Sequence, residues 1–170
     1  GAEVNLIGAI NVFEGALKHG LKKVAYTSSI GVYGPDHAEF PEPTTHYGSF
    51  KLASEGVARA FYEEHGISSL GVRPFVVYGP GREIGGTASI SLACKAVAED
   101  KEYKIEFGGK AGFVYVEDVA NIVLKILDSL PIGAKVMNIN GITEEVVNIV
   151  EYLNSFTTDK KITYHNKTLS

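Results

Sequence analysis

The sequence is poor in the residues that define several functional classes. Cys94 is its only cysteine in 170 residues. That excludes an internal disulfide and fits a reducing compartment, so a cytoplasmic location is expected. Cys94 falls in an apolar helical stretch, where a packed thiol is expected rather than a nucleophile. No apolar run approaches the roughly twenty residues of a membrane span, and the N-terminus has no signal-peptide layout. With a net charge of −4 and no basic cluster, neither nucleic acid nor an anionic membrane is an expected partner. The five histidines never stand at metal-ligand spacing from Cys, Asp or Glu, so no metal site is expected. Repeats and low-complexity segments are absent. So is any G-x-G-x-x-G or G-x-x-G-x-x-G run before Ser29, which leaves this sequence without a turn to cradle a dinucleotide pyrophosphate. Gly109-Lys110 is not a P-loop, because the upstream glycine spacing and the residue after Lys are both wrong.

What the chain does contain is a succession of α/β elements. Residues 3–19 carry apolar residues at Val4, Ile7, Ile10 and Leu17 and read as a helix stopped by Gly20. Lys23–Thr27 reads as a short buried strand ending in hydroxyls. Pro35–Thr45 is polar with three prolines and reads as a surface loop, with Thr44 or Thr45 capping the next helix. Residues 46–65 have Phe50, Val57 and Phe61 at helical spacing, and Lys51 and Glu55 form an i, i+4 pair on that helix. His46 reads as a solvated loop residue. Ile67–Val72 is a buried strand, crossing back parallel. Gly79–Gly86 is a Gly/Pro turn with one cation, Arg82. Thr87–Glu99 is helical, Tyr103–Phe107 alternates like a strand, and Gly108–Gly112 turns the chain. Glu117-Asp118 opens a helix to about Ser129, Lys135–Asn140 is a strand, and Thr143–Phe156 a helix with charged residues at its start.

Tyr47 and Lys51 project from one helix face, one above the other. A phenol is a poor acid or base at neutral pH, and a neighbouring ammonium favours its phenolate form. That pairing makes proton transfer to a substrate oxygen feasible. A serine leaving the end of a parallel strand reaches the same region of an open sheet. Ser28 and Ser29 both meet that description.

Together, Ser28-Ser29, Val32-Tyr33-Gly34, Tyr47…Lys51…Glu55, Arg73-Pro74…Tyr78-Gly79-Pro80 and Phe113–Ala120 resemble the extended short-chain dehydrogenase/reductase superfamily, the branch of NAD-dependent epimerases and dehydratases. The resemblance covers roughly residues 3–150. It implies an α/β fold holding the C-terminal half of a doubly wound, Rossmann-like parallel sheet plus part of a small substrate-binding lobe. It also implies one truncated domain over 1–170, with 1–80 in the nucleotide-binding sheet and 81–170 mixed, and with the Gly-rich N-terminal half lying outside this sequence.

The resemblance further implies Ser29, Tyr47 and Lys51 as catalytic residues, with Ser28 a close competitor of Ser29. Asn5, Thr27, Tyr47, Lys51 and Phe75 would bind the cofactor, which would be NAD, with NADP left open. Ser29 and Arg82 would bind a sugar-like substrate, Arg82 through an anionic group. The implied activity is NAD(P)-dependent hydride transfer at a hydroxyl-bearing carbon of a sugar, sugar acid or polyol. The alternatives are a nucleotide-sugar epimerase that retains its NAD and a non-catalytic nucleotide-binding or scaffold protein. Dehydration is disfavoured because Ile30-Gly31 occupy the places of an acidic pair. Gly112 stands where sugar-nucleotide enzymes of the branch commonly carry a diphosphate-pairing Arg, and Lys110 lies two residues earlier. A homodimer packed through helices 3–19 and 46–65 is the partner the resemblance implies.

Overall fold

The computed structural model describes residues 1–34, 37–129, 131–159 and 161–169. A π-helical turn, Glu3–Ile7, runs into α1 (Gly8–Lys18), followed by β1 (Lys23–Thr27). A 3-10 turn, Ile30–Val32, leads to β2 (Tyr33–Gly34), β3 (His37–Pro41) and α2 (His46–His65). Next come β4 (Ser68–Pro74), β5 (Val76–Tyr78), α3 (Ser89–Ala98) and β6 (Tyr103–Ile105). The chain continues through β7 (Lys110–Tyr115), α4 (Val116–Asp128), β8 (Ala134–Ile139), β9 (Ile142–Glu145), α5 (Val146–Asn154) and β10 (Ile162–Tyr164). It divides into two compact units, Gly1–Pro74 with Ala120–Ile139, and Phe75–Val119 with Asn140–Ser170.

The first unit is built on a parallel sheet in the order β1-β4-β8, the Rossmann-like arrangement. Its strands pair Thr27 with Val72, and Pro74 with Ile139. Beside the sheet, Phe13 and Ala16 of α1, Val24 of β1, Ala58 of α2 and Ile67 close a common core. Phe13 stacks on Phe61 at 5.2 Å and meets Tyr26 edge-on at 5.7 Å. Phe13 and Ile67, both fully buried, each contribute about 1.5–3 kcal/mol by leaving water. α2 ends at Gly66, whose φ of 66° is the left-handed conformation that closes a helix with little strain. Val4, Ile7 and Val12 of the N-terminal helical segment face outward. Among the described residues no helix is long and apolar enough to cross a membrane.

In the second unit β5 and β7 run parallel, β9 joins β7 antiparallel, and β6 pairs with β10. Ile90, Ala93 and Ala96 of α3 and Val146, Val150 and Leu153 of α5 bury against Ile105, Phe113 and Ile162.

Four expectations are corrected. Residues 35 and 36 of the supposed loop lie outside the described residues, but His37–Pro41 is a strand antiparallel to β2. Phe40, its one large apolar side chain, is exposed. Gly108–Gly112 is a turn only at its start, since β7 begins at Lys110. Residues 142–145 pair with β7 instead of opening the last helix, which begins at Val146. Glu144 nonetheless serves that helix start, its Oε1 accepting from Glu145 N at 2.8 Å and from Asn148 Nδ2 at 2.7 Å. Finally, Cys94 is exposed, because α3 buries Ser89, Ile90, Ala93 and Ala96 and turns Cys94 away.

Candidate active site

The place where α2 begins decides which side chains meet. Thr45 is extended, and its Oγ1 caps α2 by accepting from Gly48 N at 3.0 Å. Gly48, buried in the first turn, packs directly on the carbonyl of Gly31, where any Cβ would collide. The helix start is thereby pressed against the 3-10 turn that follows β1.

Gly31 in turn separates Ser29 from Tyr47. A Cβ added at Gly31 would stand 3.3 Å from Ser29 Oγ and 3.6 Å from Tyr47 Cδ1. Ser29 Oγ accepts from Gly31 N at 3.0 Å, which leaves its own proton to donate. Ser28 points the other way. It is 1% exposed and its hydroxyl donates to Glu55 Oε1 at 2.5 Å. Of the two serines, Ser29 is the one that lies beside Tyr47.

One helical turn after Tyr47, Lys51 places Nζ 5.8 Å from the centroid of the Tyr47 ring and donates to Thr27 O at 2.8 Å. Burial lowers the Lys51 pKa below the ordinary lysine value. Lys51 does not pair with Glu55, as the i, i+4 spacing suggested. Glu55 turns inward instead and takes Arg73 bidentately, Nε to Oε1 at 2.8 Å and Nη2 to Oε2 at 2.5 Å. Arg73 also donates through Nη1 to Tyr33 OH at 2.7 Å. Hydrogen bonding to the Glu55 carboxylate raises the Arg73 pKa further, so the guanidinium stays charged although only 6% exposed. Sequence reasoning missed this pair. Its signal was present in an Arg embedded in the apolar run Leu70–Val77.

The Tyr47 hydroxyl has no protein partner among the described residues, and the side chain is 47% exposed. Asn5, Thr27 and Lys51 line one cleft of about 370 Å³, together with Val4, Tyr26 and Ser54. Asn5 is fixed there by Nδ2 donating to Gly1 O at 3.2 Å and by its carbonyl accepting from Ser54 Oγ at 2.9 Å. The structure therefore brings Asn5, Thr27 and Lys51 into one cleft, and places Tyr47 and Ser29 beside Lys51 and Gly31.

Tyr26 borders the same cleft and lies over Gly71, its partner in the sheet, where a Cβ would approach its ring to 2.7 Å. Desolvation, and secondarily the Glu55 charge, push the Tyr26 pKa well above the ordinary 10.0. The folded state thus holds this proton more tightly than the unfolded state. The associated stability is complete below pH 10 and is lost as pH rises beyond it. Tyr26→Phe should shrink the drop in urea midpoint between about pH 9 and about pH 11 relative to the parent. An equal drop in both proteins would remove Tyr26 as its source.

Phe75 and Arg82 belong to the second unit. The Phe75 ring covers Gly112, where a Cβ would come within 2.7 Å of it. No side chain fits at 112 without moving that ring, so an Arg there is incompatible with this packing. Lys110 is exposed on β7. Arg82 lines a cleft of about 500 Å³ with Tyr78, Glu83, Lys95 and Tyr115. Its Nη2 donates to Thr87 Oγ1 at 3.2 Å, its buried Nε has no partner, and Lys95 pairs with Glu83 at 2.8 Å.

Residues 1–140 match the NAD dependent epimerase/dehydratase family. The UDP-glucuronate 4-epimerase of Thermodesulfobacterium geofontis is 27% identical over 94% of this chain and 55% of its own length. The structure of UDP-glucose 4-epimerase with UDP-glucose from Thermotoga maritima aligns with a TM-score of 0.83 at 27% identity, covering 98% of this chain and 57% of that one. The structure of MoeE5 in complex with UDP-glucose and NAD aligns at 0.79 and 26%, covering 96% and 57%. The chain spans about half the length of the curated relatives it matches.

Proposed function

Starting from the fact that the chain belongs to the NAD-dependent epimerase/dehydratase family, we propose that it carries the proton-transfer residues of a hydride-transfer enzyme. The reaction takes place at a hydroxyl-bearing carbon of a sugar, sugar acid or polyol. One observation carries this reading: the Tyr47 ring, whose hydroxyl has no partner among the described residues, lies 5.8 Å from the Lys51 ammonium and faces Ser29 across Gly31. Tyr47 takes the substrate's hydroxyl proton as the carbon is oxidised, and returns it on reduction. Ser29 donates a hydrogen bond to the reacting oxygen and fixes its direction. Lys51, held by the Thr27 carbonyl, favours the phenolate form of Tyr47.

NAD, when bound, supplies the hydride acceptor at the substrate carbon. The donor set suits its nicotinamide end, with an ammonium and hydroxyls available for a ribose diol in the cleft of Asn5, Thr27 and Lys51. Phe75 is the candidate aromatic neighbour of the nicotinamide. Arg82, with a donor free at Nε, is the candidate for an anionic substrate group.

A second reading, epimerisation with NAD retained through the cycle, is favoured by the names of the two 4-epimerases to which the chain is similar. Gly112 and the Phe75 ring over it favour a substrate without a diphosphate. The full-length protein separates these readings when it is denatured and any released nucleotide is identified by mass spectrometry. Near-stoichiometric NAD supports the epimerase. An empty protein that reduces added NAD with a sugar or sugar acid supports the dehydrogenase. An empty protein that binds neither NAD nor NADP sinks both and leaves a scaffold.

A further inference from the structure

One buried polar cluster takes no part in the proton transfer just described. Glu55 holds the Ser28 hydroxyl and the Arg73 guanidinium at once, and Arg73 reaches on to Tyr33 OH. Glu55 is 5% exposed, so water does not compete for these bonds. A bidentate carboxylate–guanidinium pair is planar and directional, and burial stiffens it. The pair alone would tie α2 to β4. The two hydroxyls add something different, because they lie on either side of the 3-10 turn Ile30–Val32. Ser28 precedes that turn and Tyr33 follows it, and both are bonded to the same ion pair.

Backbone geometry turns this anchoring into direction. Ser29 is extended, with φ −159° and ψ 150°, and neighbouring side chains on extended backbone face opposite ways. Ser28 is fixed inward by Glu55 and by its amide, which donates to Val72 O at 2.7 Å. Ser29 is consequently aimed outward, at Gly31 and Tyr47.

We infer that Ser28, Glu55, Arg73 and Tyr33 form a positioning clamp that pins both ends of the 30–32 turn and so sets the direction of the Ser29 hydroxyl. The inference rests on the roles proposed above for Ser29 and Tyr47. None of the four is a catalytic residue in this account.

The Gly31 amide reports on the clamp directly, because it donates to Ser29 Oγ. Its hydrogen exchange can be followed by NMR in this chain with no cofactor or substrate present. Ser28→Ala keeps the ion pair and deletes only the hydroxyl. It should speed Gly31 exchange by about tenfold or more while the amides of β1 keep their protection. Ser28→Thr, which keeps a hydroxyl, should restore the parent rate. A merely structural role would instead lower protection at Gly31 and in β1 together. In the full-length protein, with NAD and glucuronate as probe, Ser28→Ala should lower kcat about tenfold and leave KM unchanged.

Unchanged Gly31 exchange in Ser28→Ala overturns the clamp, and so does an equal loss of protection throughout β1. Should that variant not fold, Tyr33→Phe tests the other end of the turn with the same expectation, and an unchanged Gly31 rate there overturns the clamp as well. The roles of the active-site residues fail separately. A Tyr47→Phe enzyme with full turnover removes the proton-transfer reading, whereas an inactive Tyr47→Phe beside a fully active, unloosened Ser28→Ala removes only the clamp.

Discussion

Replacing Tyr47 by phenylalanine in the full-length protein is expected to lower kcat by roughly 10²–10⁴-fold, the usual contribution of a positioned proton donor or acceptor. The side chain is nearly half exposed and its hydroxyl bonds to no protein group among the described residues. Removing one oxygen therefore leaves packing untouched, and a stability change beyond about 0.5 kcal/mol would be a surprise. NAD binding should persist, because Lys51 keeps its bond to the Thr27 carbonyl without the phenol. Calorimetric titration with NAD beside initial rates is the measurement. Full turnover in the variant would exclude Tyr47 from the chemistry. Lost NAD affinity with proportionate kcat would make Tyr47 a binding residue instead.

Breaking the buried ion pair has the other large expected effect, this time on stability. Arg73→Met leaves Glu55 in the interior with the Ser28 hydroxyl as its remaining neutral hydrogen-bond donor among the described residues. Stranding one partner of a buried pair costs about 3–5 kcal/mol, most of it the penalty of an uncompensated charge. For a chain of this size that corresponds to a melting point lower by roughly 6–20 °C. The double variant Glu55→Leu/Arg73→Met should recover most of the loss, since apolar replacement of both partners is often neutral or stabilising. Thermal denaturation of the two variants decides. If Arg73→Met melts like the parent, the pair contributes orientation and no net stability. If the double variant is worse than the single, the pair's neighbours depend on its hydrogen bonds more than on its charge.

How much of this was legible before the structure varies with the kind of signal. β1 is found at the residues where an apolar run ended in hydroxyls, and α2 at the residues set off by Thr45 and Gly66, because caps and burial patterns are local. The strand His37–Pro41 and the strand Ile142–Glu145 were not legible. Each is defined by pairing with another segment. Thr143-Glu144-Glu145 carries a genuine helix-start signal, realised one turn later through the Glu144 carboxylate. Cys94 was misjudged because it stands among small and apolar residues, and composition alone does not tell which face of α3 is inward.

The candidate site divides in the same way. Motif order singles out Tyr47, Lys51 and Ser29, and in the structure Lys51 lies near the Tyr47 ring with Ser29 across Gly31 from it. Local spacing gave Glu55 the wrong partner. A helix surface offers i, i+4 pairing cheaply, but that pair is worth only about 0.2–0.5 kcal/mol. Arg73, buried on the next strand, needs a carboxylate far more than half-buried Lys51, which already has the Thr27 carbonyl. Sequence spacing does not record that competition. Ser28 and Ser29 are alike in spacing and differ in the structure in direction, Ser28 toward Glu55 and Ser29 toward Gly31.

The contact of Gly48 with the Gly31 carbonyl bears on how such a site can change over time. It is backbone against backbone, so the gap between the 30–32 turn and the start of α2 is set by main-chain atoms touching. Side-chain packing tolerates gradual adjustment, one methyl at a time, but a gap of this kind has no intermediate settings. Drift in the surrounding core leaves it unaltered, and no substitution at Gly48 can widen it by a small step. The spacing of α2 from the turn after β1 is therefore all-or-none: it changes only if a whole segment moves.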